Sequence, residues 1–244
     1  PDRGIEKQGG GASLMKHPAL AQEIIKAAQQ GAAGLPVSIK TRIGYNAIEI
    51  EKWTRVLLEA KPAAITFHLR TRKEMSKVAA HWDEIKIPVT LAQGSGTLIL
   101  GNGDVKDVTD AREKAAQYGL DGVMLGRAIF GNPWLFTPTP TCLAKLVWGC
   151  TPSIRERLRV MVEHTKLFEE LFCPPTGDHP EGDDTSLNQQ LFGGHRKSFA
   201  IMKKHFKAYV AGFDGATELR AKLMETTTAT EVEQFTLEFI KNMV

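Results

Sequence analysis

The sequence predicts an α/β protein, half of a (β/α)8 barrel followed by an all-helical domain, and three observations predict it. Short apolar segments alternate with helix-length amphipathic segments through roughly the first 135 residues. A polar group stands where each of four such strands ends: Lys40, His68, Asn102 and Gly126-Arg127, separated by 28, 34 and 24 residues, about one βα unit each. Beyond Pro133 only helical periodicities remain. A whole barrel takes about 250 residues and gathers its functional groups at the carboxyl ends of its strands, so four units amount to half of one. Strands that are apolar throughout rather than alternating read as a parallel sheet covered on both faces. A doubly wound sheet is the competing topology.

Taken in order, residues 17–31 predict a helix, with Pro18 in its first turn, Leu20, Ile24, Ala27 and Ala28 on one face, and Gly31 as its stop. Pro36–Lys40 is a short buried strand. Asn46 with Glu49 three residues later resembles a capping box, opening a helix whose Ile50, Trp53, Leu57 and Ala60 share a face. Ala63–His68 is the next strand, and a helix follows His81-Trp82. Ile87-Pro88-Val89-Thr90-Leu91 reads as a strand, and Gly94-Ser95-Gly96 restarts the chain toward a stronger one at 97–101. Residues 107–118 are helical, with Val108, Ala111, Ala115 and Tyr118 on one face and Gly119 closing, and a strand follows at 122–126. The expected domains are thus 1–140 and 150–244, joined through the linker Thr137–Thr141. In the second, helices are expected at 153–172, 195–211, 214–225 and 229–241, with a mobile loop rich in Gly, Pro, Asp and Asn near 173–194.

An apolar content of 42%, a charged content of 24% and a net charge of +3 are ordinary for a globular chain and permit an RNA partner without requiring one. Cys142, Cys150 and Cys173 fit no metal spacing and cannot all pair with one another, which points to a reducing, cytoplasmic setting and no metal. No apolar run reaches the roughly 18 residues of a membrane span. Pro1–Gly4 resembles no signal peptide and the chain lacks an initial Met, so the expectation is a chain that begins inside a longer one.

Leu98–Asp104 and Gly122–Arg127 are the most specific signals. Each is an apolar strand running into glycine and a polar or charged residue, and glycine lets backbone N–H groups approach a phosphate while arginine supplies a charged fork. Lys40 offers a fixed positive charge for an anion, or merely snorkels at the sheet rim. His68 is either a ligand contact or a structural histidine. Arg70 and Arg72 lie in the basic loop 68–73, a solvated charge run or a functional one.

Gly126–Phe136, preceded by Gly101–Asp104, resembles the tRNA-dihydrouridine synthases. Gly9–Met15, Pro36–Gly44 and His68–Arg72 fit that family's order, and Lys203–Phe206 through Tyr209, Gly212 and Glu218–Arg220 resemble its helical tRNA-binding domain. The resemblance implies the carboxyl-terminal half of a (β/α)8 TIM barrel, a flavoprotein that uses FMN and NADPH to reduce uridine in tRNA to 5,6-dihydrouridine, monomeric and with no stable protein partner. It implies that Lys40 faces the flavin pyrimidine edge, where a cation stabilises developing negative charge, and that His68 touches the flavin as well. Asn102, Gly103 and Asp104, with Gly126 and Arg127, would hold the phosphate end. Arg42, Arg70 and Arg72 would lie near the RNA backbone or the flipped uridine, and Lys203 and Lys204 on the tRNA. The family's catalytic cysteine, the proton donor to uridine, stands immediately before the position of Pro1, so no catalytic residue is expected within the chain and the chain alone is expected to be inactive. His68-Leu69-Arg70 departs from the usual His-Gly-Arg.

Two further functions stay open at this level. Another FMN barrel oxidoreductase would act on a small molecule, for which the interleaved basic and apolar residues of 196–207 have no use. A non-catalytic RNA-binding fragment would use the barrel half as scaffold.

Overall fold

The computed structural model describes residues 2–136, 152–173 and 197–243. They fall into two units, Pro1–Ala128 and Ile129–Val244. The first unit closes ahead of the boundary expected near 140. The linker 137–141, Cys142, Cys150 and the loop residues 174–194 lie outside the described residues.

In the first unit, α1 (Arg3–Lys7) and a 3-10 turn (Gly11–Lys16) lead into α2 (Pro18–Gly31). There follow β1 (Ser38–Arg42), α3 (Ile50–Glu59), β2 (Ala64–His68), a 3-10 turn (Trp82–Ile85) running into α4 (Lys86–Leu91), β3 (Leu98–Asn102), α5 (Val108–Tyr118) and β4 (Gly122–Met124). All three strand pairings are parallel and the order is β1-β2-β3-β4, which follows the sequence without a reversal. Consecutive units of a barrel are arranged this way, whereas a doubly wound sheet reverses its order at a switch point.

The sheet is covered on one face. Ile65, Phe67 and Ile99 are buried among Ile50, Trp53 and Leu57 of α3, Ile85, and Ala21 and Ile25 of α2. Residues of the opposite parity, Lys40, Arg42, Thr66, His68, Leu98 and Asn102, form the other face, where Leu98 stays half exposed. The expectation of cover on both faces is therefore corrected. Apolar strands arise here because the inner face of a barrel is itself lined by side chains. Burial of each large aliphatic side chain on the helical face contributes about 1.5–3 kcal/mol.

Several local expectations change for identifiable reasons. Ile87–Leu91 is helix, not strand: Pro88 falls in the first turn of α4, where its missing N–H costs nothing, and Ile85, Pro88 and Ala92 are buried at helical spacing. No capping box opens α3, because Glu49 itself is the N-cap residue and its N–H is held by the Ile43 carbonyl at 2.9 Å. The face predicted for that helix is the one buried. On α2 the buried residues are Ala21 and Ile25, one position from the predicted stripe, and Leu20 and Ile24 are exposed. Strand β1 is an edge strand and only partly buried. Asp107 caps α5 through the Asp110 N–H, and Gly119 ends it with a left-handed φ of 67°.

Trp82 fixes the end of β3. A Cβ on Gly101 would stand 2.7 Å from the Trp82 ring, and the Trp82 indole N–H donates to the Gly103 carbonyl at 3.0 Å. Any side chain at 101 would collide with the Trp82 ring where it now packs.

In the second unit the described regular elements are helical: a 3-10 turn at Arg127–Ile129 crosses into it, followed by α6 (Ile154–Phe172), a 3-10 turn (Phe199–Met202), α7 (Lys203–Tyr209), α8 (Ala216–Glu225) and α9 (Ala229–Lys241). Leu158, Met161, Met202, Phe206, Leu219, Leu223 and Val232 make its core. Ser153 caps α6 and Thr228 with Glu231 forms a capping box on α9. No helix among the described residues is long and apolar enough to cross a membrane.

Gly101→Ala is expected to destabilise the first unit by about 1–3 kcal/mol through overpacking against Trp82, read as a lowered urea midpoint with altered tryptophan emission.

Candidate functional site

Parallel register sets a row of side chains across the carboxyl edge of the sheet: Arg42 stands beside His68, His68 beside Asn102, and Asn102 beside Met124. Lys40 lies two residues earlier on β1, on the same face. Its ammonium reaches across the end of β2 to donate to Asn102 Oδ1 at 3.3 Å, while Asn102 Nδ2 donates to the Met124 carbonyl at 2.7 Å. Asn102 thus ties β1 to β4 and turns its carbonyl oxygen toward the lysine. Burial, and then the charge of Arg42, lower the Lys40 pKa.

Gly103 and Asp104 both adopt positive φ, 131° and 51°. A Cβ on Gly103 would meet Ala80 at 2.8 Å, so the glycine is required by packing and brings the chain against the His68 ring. The Asp104 carboxylate is the hub of the turn. One oxygen accepts from the Arg70 guanidinium and from the Ala80 N–H at 3.0 Å, and the other accepts from Arg127 at 3.3 Å. The Arg70 hydrogen bond holds its carboxyl below the usual aspartate range. Arg127 is 70% exposed, leaving much of its fork open. Among the described residues nothing lies within 4 Å of a Cβ position at Gly126, and its φ is not positive, so neither their packing nor the backbone geometry requires glycine there.

The arginines expected to face RNA are held internally. Arg70 is 3% exposed and donates to the Val78 carbonyl at 2.6 Å, to Asp104 and to His68 Nε2 at 3.1 Å. Arg42 donates to the carbonyls of Thr71 and Met75 at 2.8 and 2.7 Å. Arg72 pairs with Glu6 at 2.5 Å, where Tyr45 also donates. Each stabilises the loop that follows β2, and Arg70 in particular presents no exposed fork to a phosphate. Leu69, which replaces the usual glycine of the resemblance, is fully buried in the core and so leaves the cleft unobstructed.

Desolvation and then the charges of Arg42, Lys40 and Arg70 depress the His68 pKa to about 4. The histidine borders a cleft of about 530 Å³ that runs along the free edge of β1 and is lined by Lys40, Arg42, Gly11, Met15, Ile24 and Val37 among others. Gly11 and Met15 were visible only as part of a motif, and Trp82 and Ala80, which shape the 101–104 turn, carry no spacing signal of their own. A second groove, of about 640 Å³, lies on the second unit between α6 and α9, with acids and bases mixed around it and Lys166 paired to Glu233 at 2.6 Å. Lys203 and Lys204 open α7, with Met202 and Phe206 of the same stretch buried and Lys204 and Lys207 exposed.

The family model for dihydrouridine synthase matches residues 1–175. The chain belongs to the dihydrouridine synthase family. A Staphylococcus epidermidis protein named "Probable tRNA-dihydrouridine synthase" is 38% identical over 237 residues, 96% of this chain and 63% of its own length. A Staphylococcus aureus protein of the same name is 37% identical over 249 residues, all of this chain and 66% of its own. A Bacillus subtilis protein named "Probable tRNA-dihydrouridine synthase 2" is 35% identical over 235 residues, 95% and 63% respectively. The chain therefore spans a little under two thirds of the length of these relatives. In this family member Lys40, His68, Asn102, Asp104 and Arg127 lie together at the sheet's carboxyl edge.

Stability is expected to carry the signature of His68. The native ring stays neutral to about pH 4, whereas the unfolded one takes a proton near 6.5. Between those values the unfolded state binds more protons, so stability is complete above pH 6.5 and falls as pH drops toward 4. Urea midpoints across that window should slope less steeply in His68→Gln; an unchanged slope would place the effect on other groups.

Proposed function

We propose that the chain is the part of a tRNA-dihydrouridine synthase that holds the phosphate end and one ring edge of FMN and engages tRNA, in an enzyme that reduces uridine to 5,6-dihydrouridine with NADPH. The single observation that carries the reading is the bare backbone at Gly126 beside the open Arg127 fork, at the edge where Lys40, Asn102 and His68 converge. Family membership supplies the reaction class.

The residues present fit the cofactor. Gly126 leaves room for a phosphate against the main chain, and Arg127, aimed by Asp104, provides a charge-assisted fork for it. Lys40 holds a cation over the cleft, fixed by Asn102. When bound, FMN would supply hydride chemistry to the base. The chain's own groups bind and orient: Lys40 stabilises negative charge developing beside it, His68 stays uncharged, and the apolar lining of the cleft limits water. The target base must leave its stack to be reduced, and Lys203, Lys204 and Lys207 give α7 a basic face for the phosphates of the tRNA.

FMN is expected to raise the melting temperature of the chain more than riboflavin does, because the phosphate end is what these residues grip. Arg127→Ala should lower FMN affinity by about tenfold or more, the scale of one hydrogen bond to a charged group, and erase the difference between the two flavins. Equal effects of FMN and riboflavin on the unmodified chain would reject the assignment.

Lys203→Glu combined with Lys204→Glu should weaken tRNA binding and flatten its dependence on salt, since fewer counterions are released, without altering FMN affinity. Filter binding at several salt concentrations reads the slope. Dihydrouridine in the bound tRNA, measured by mass spectrometry, separates turnover from binding.

A further inference from the structure

Arg70 is the least exposed cation of the site, and its contacts are of unequal kinds. Two of them, to the Val78 carbonyl and the Asp104 carboxylate, are to obligate acceptors. The third, 3.1 Å to His68 Nε2, is to an atom that either donates or accepts. A guanidinium carries only donors. Nε2 must therefore accept, which puts the proton of the neutral ring on Nδ1. A histidinium would set an N–H against an N–H across that contact.

The Nδ1 edge has no hydrogen-bond partner among the described residues, although the ring is half buried and borders the cleft. The other edge is closed off by Arg70 and by Gly103, whose Cβ position lies 3.4 Å from His68 Cδ2. A buried side-chain nitrogen is normally paired with protein or with ordered water. Here one nitrogen is spent on a buried arginine and the other is left for something outside.

We propose that Arg70 is a positioning residue that locks His68 as the neutral Nδ1–H tautomer, so that the ring donates a hydrogen bond to an acceptor atom of the ligand held beside Lys40. The identity of that ligand as FMN rests on the function proposed above; the tautomer does not. Arg70 acts through His68 and touches no ligand itself. The surrounding charges agree with this assignment. Lys40 and Arg42 of β1 and Arg70 of the following loop face the ring with positive charge, and only Asp104 of the β3 turn opposes them. The site thus contains a directional donor that adds no charge to a cluster already rich in cations.

The test is long-range 1H–15N correlation NMR on the full chain with 15N-labelled histidine, His68 being assigned by its loss in His68→Gln. At neutral pH without flavin, His68 should show a protonated Nδ1 and an unprotonated Nε2, unchanged down to about pH 5. Arg70→Met should release the lock: both tautomers appear, the ring titrates closer to the ordinary histidine range, and FMN affinity falls about tenfold, the scale of one ligand hydrogen bond. Arg70→Lys, which keeps the charge and loses the fork, should release the tautomer as Arg70→Met does. A protonated Nε2 in the unmodified chain overturns the proposal even if both variants fail to fold, and so does a tautomer that stays fixed in a folded Arg70→Met. FMN added to the labelled chain should shift the Nδ1 proton. A correct tautomer without that shift leaves Arg70's role standing and rejects FMN as the ligand.

Discussion

The contact between the buried Arg70 and the partly exposed Asp104 joins the two chain segments on which the whole edge depends. Arg70 follows β2 and Asp104 follows β3, so their pairing locks the ends of neighbouring strands at fixed height. A guanidinium that is 3% exposed loses much of its hydration, and the loss is offset only because its donors meet a carbonyl, a carboxylate and an imidazole nitrogen. Removing either partner would leave the other charge uncompensated. From this pair the site extends outward: Asp104 aims Arg127, and Arg70 orients His68. The Asp104 carboxylate does not itself face a phosphate. Its charge cancels that of Arg70 and leaves Arg127 with an open fork.

A second constraint comes from the winding of the sheet. With strands in sequence order and helices on one face, every strand end delivers its polar group to the same rim. The cost is an inner face that the helices do not cover, visible in the exposure of Leu98, and an edge at β1 along which the cleft runs. Lys40 and Arg42 stand on that inner face of β1 and form the cationic side of the rim.

This explains what could be read in the sequence and what could not. The strand ends were legible because an apolar run that stops at glycine or a charge is a local pattern, and Lys40, His68, Asn102 and the 103–104 turn do converge in space. The roles of the arginines were not legible. Arg70 and Arg72 are two residues apart in one basic loop, yet one is buried against Asp104 and the other pairs with Glu6, and neither partner is close in sequence. Trp82 was missed as a site residue because its effect is exerted through Gly101, whose lack of a side chain has a packing cause that no spacing reveals. The helix at Lys86–Leu91 was read as a strand because Val89, Thr90 and Ile87 favour extended chain locally; tertiary burial of Ile85, Pro88 and Ala92 decided otherwise. Glycines 103 and 126 look alike in sequence and differ in kind: Ala80 crowds the Cβ position of one, and no described residue crowds that of the other.

The electrostatics of the rim follow from the same geometry. Lys40, Arg42 and Arg70 gather at one end of the site, with Asp104 facing His68 and Glu74 facing Arg42 as the opposing carboxylates. Desolvation first, and then the charges of Arg42, Lys40 and Arg70, keep the His68 ring neutral through the physiological range. Positive charge is then offered at two places, by Lys40 over the cleft and by Arg127 at the β4 end, while His68 between them contributes direction without charge. Such a division favours a ligand with an anionic end and a polar ring that is uncharged in its resting state, because the ring needs a donor to orient it and only a modest cation nearby to meet charge as it develops. A site built of lysines and arginines alone would bind the anion and leave the ring free to turn. The single histidine, held in one tautomer by a buried arginine, is what gives the rim an orientation.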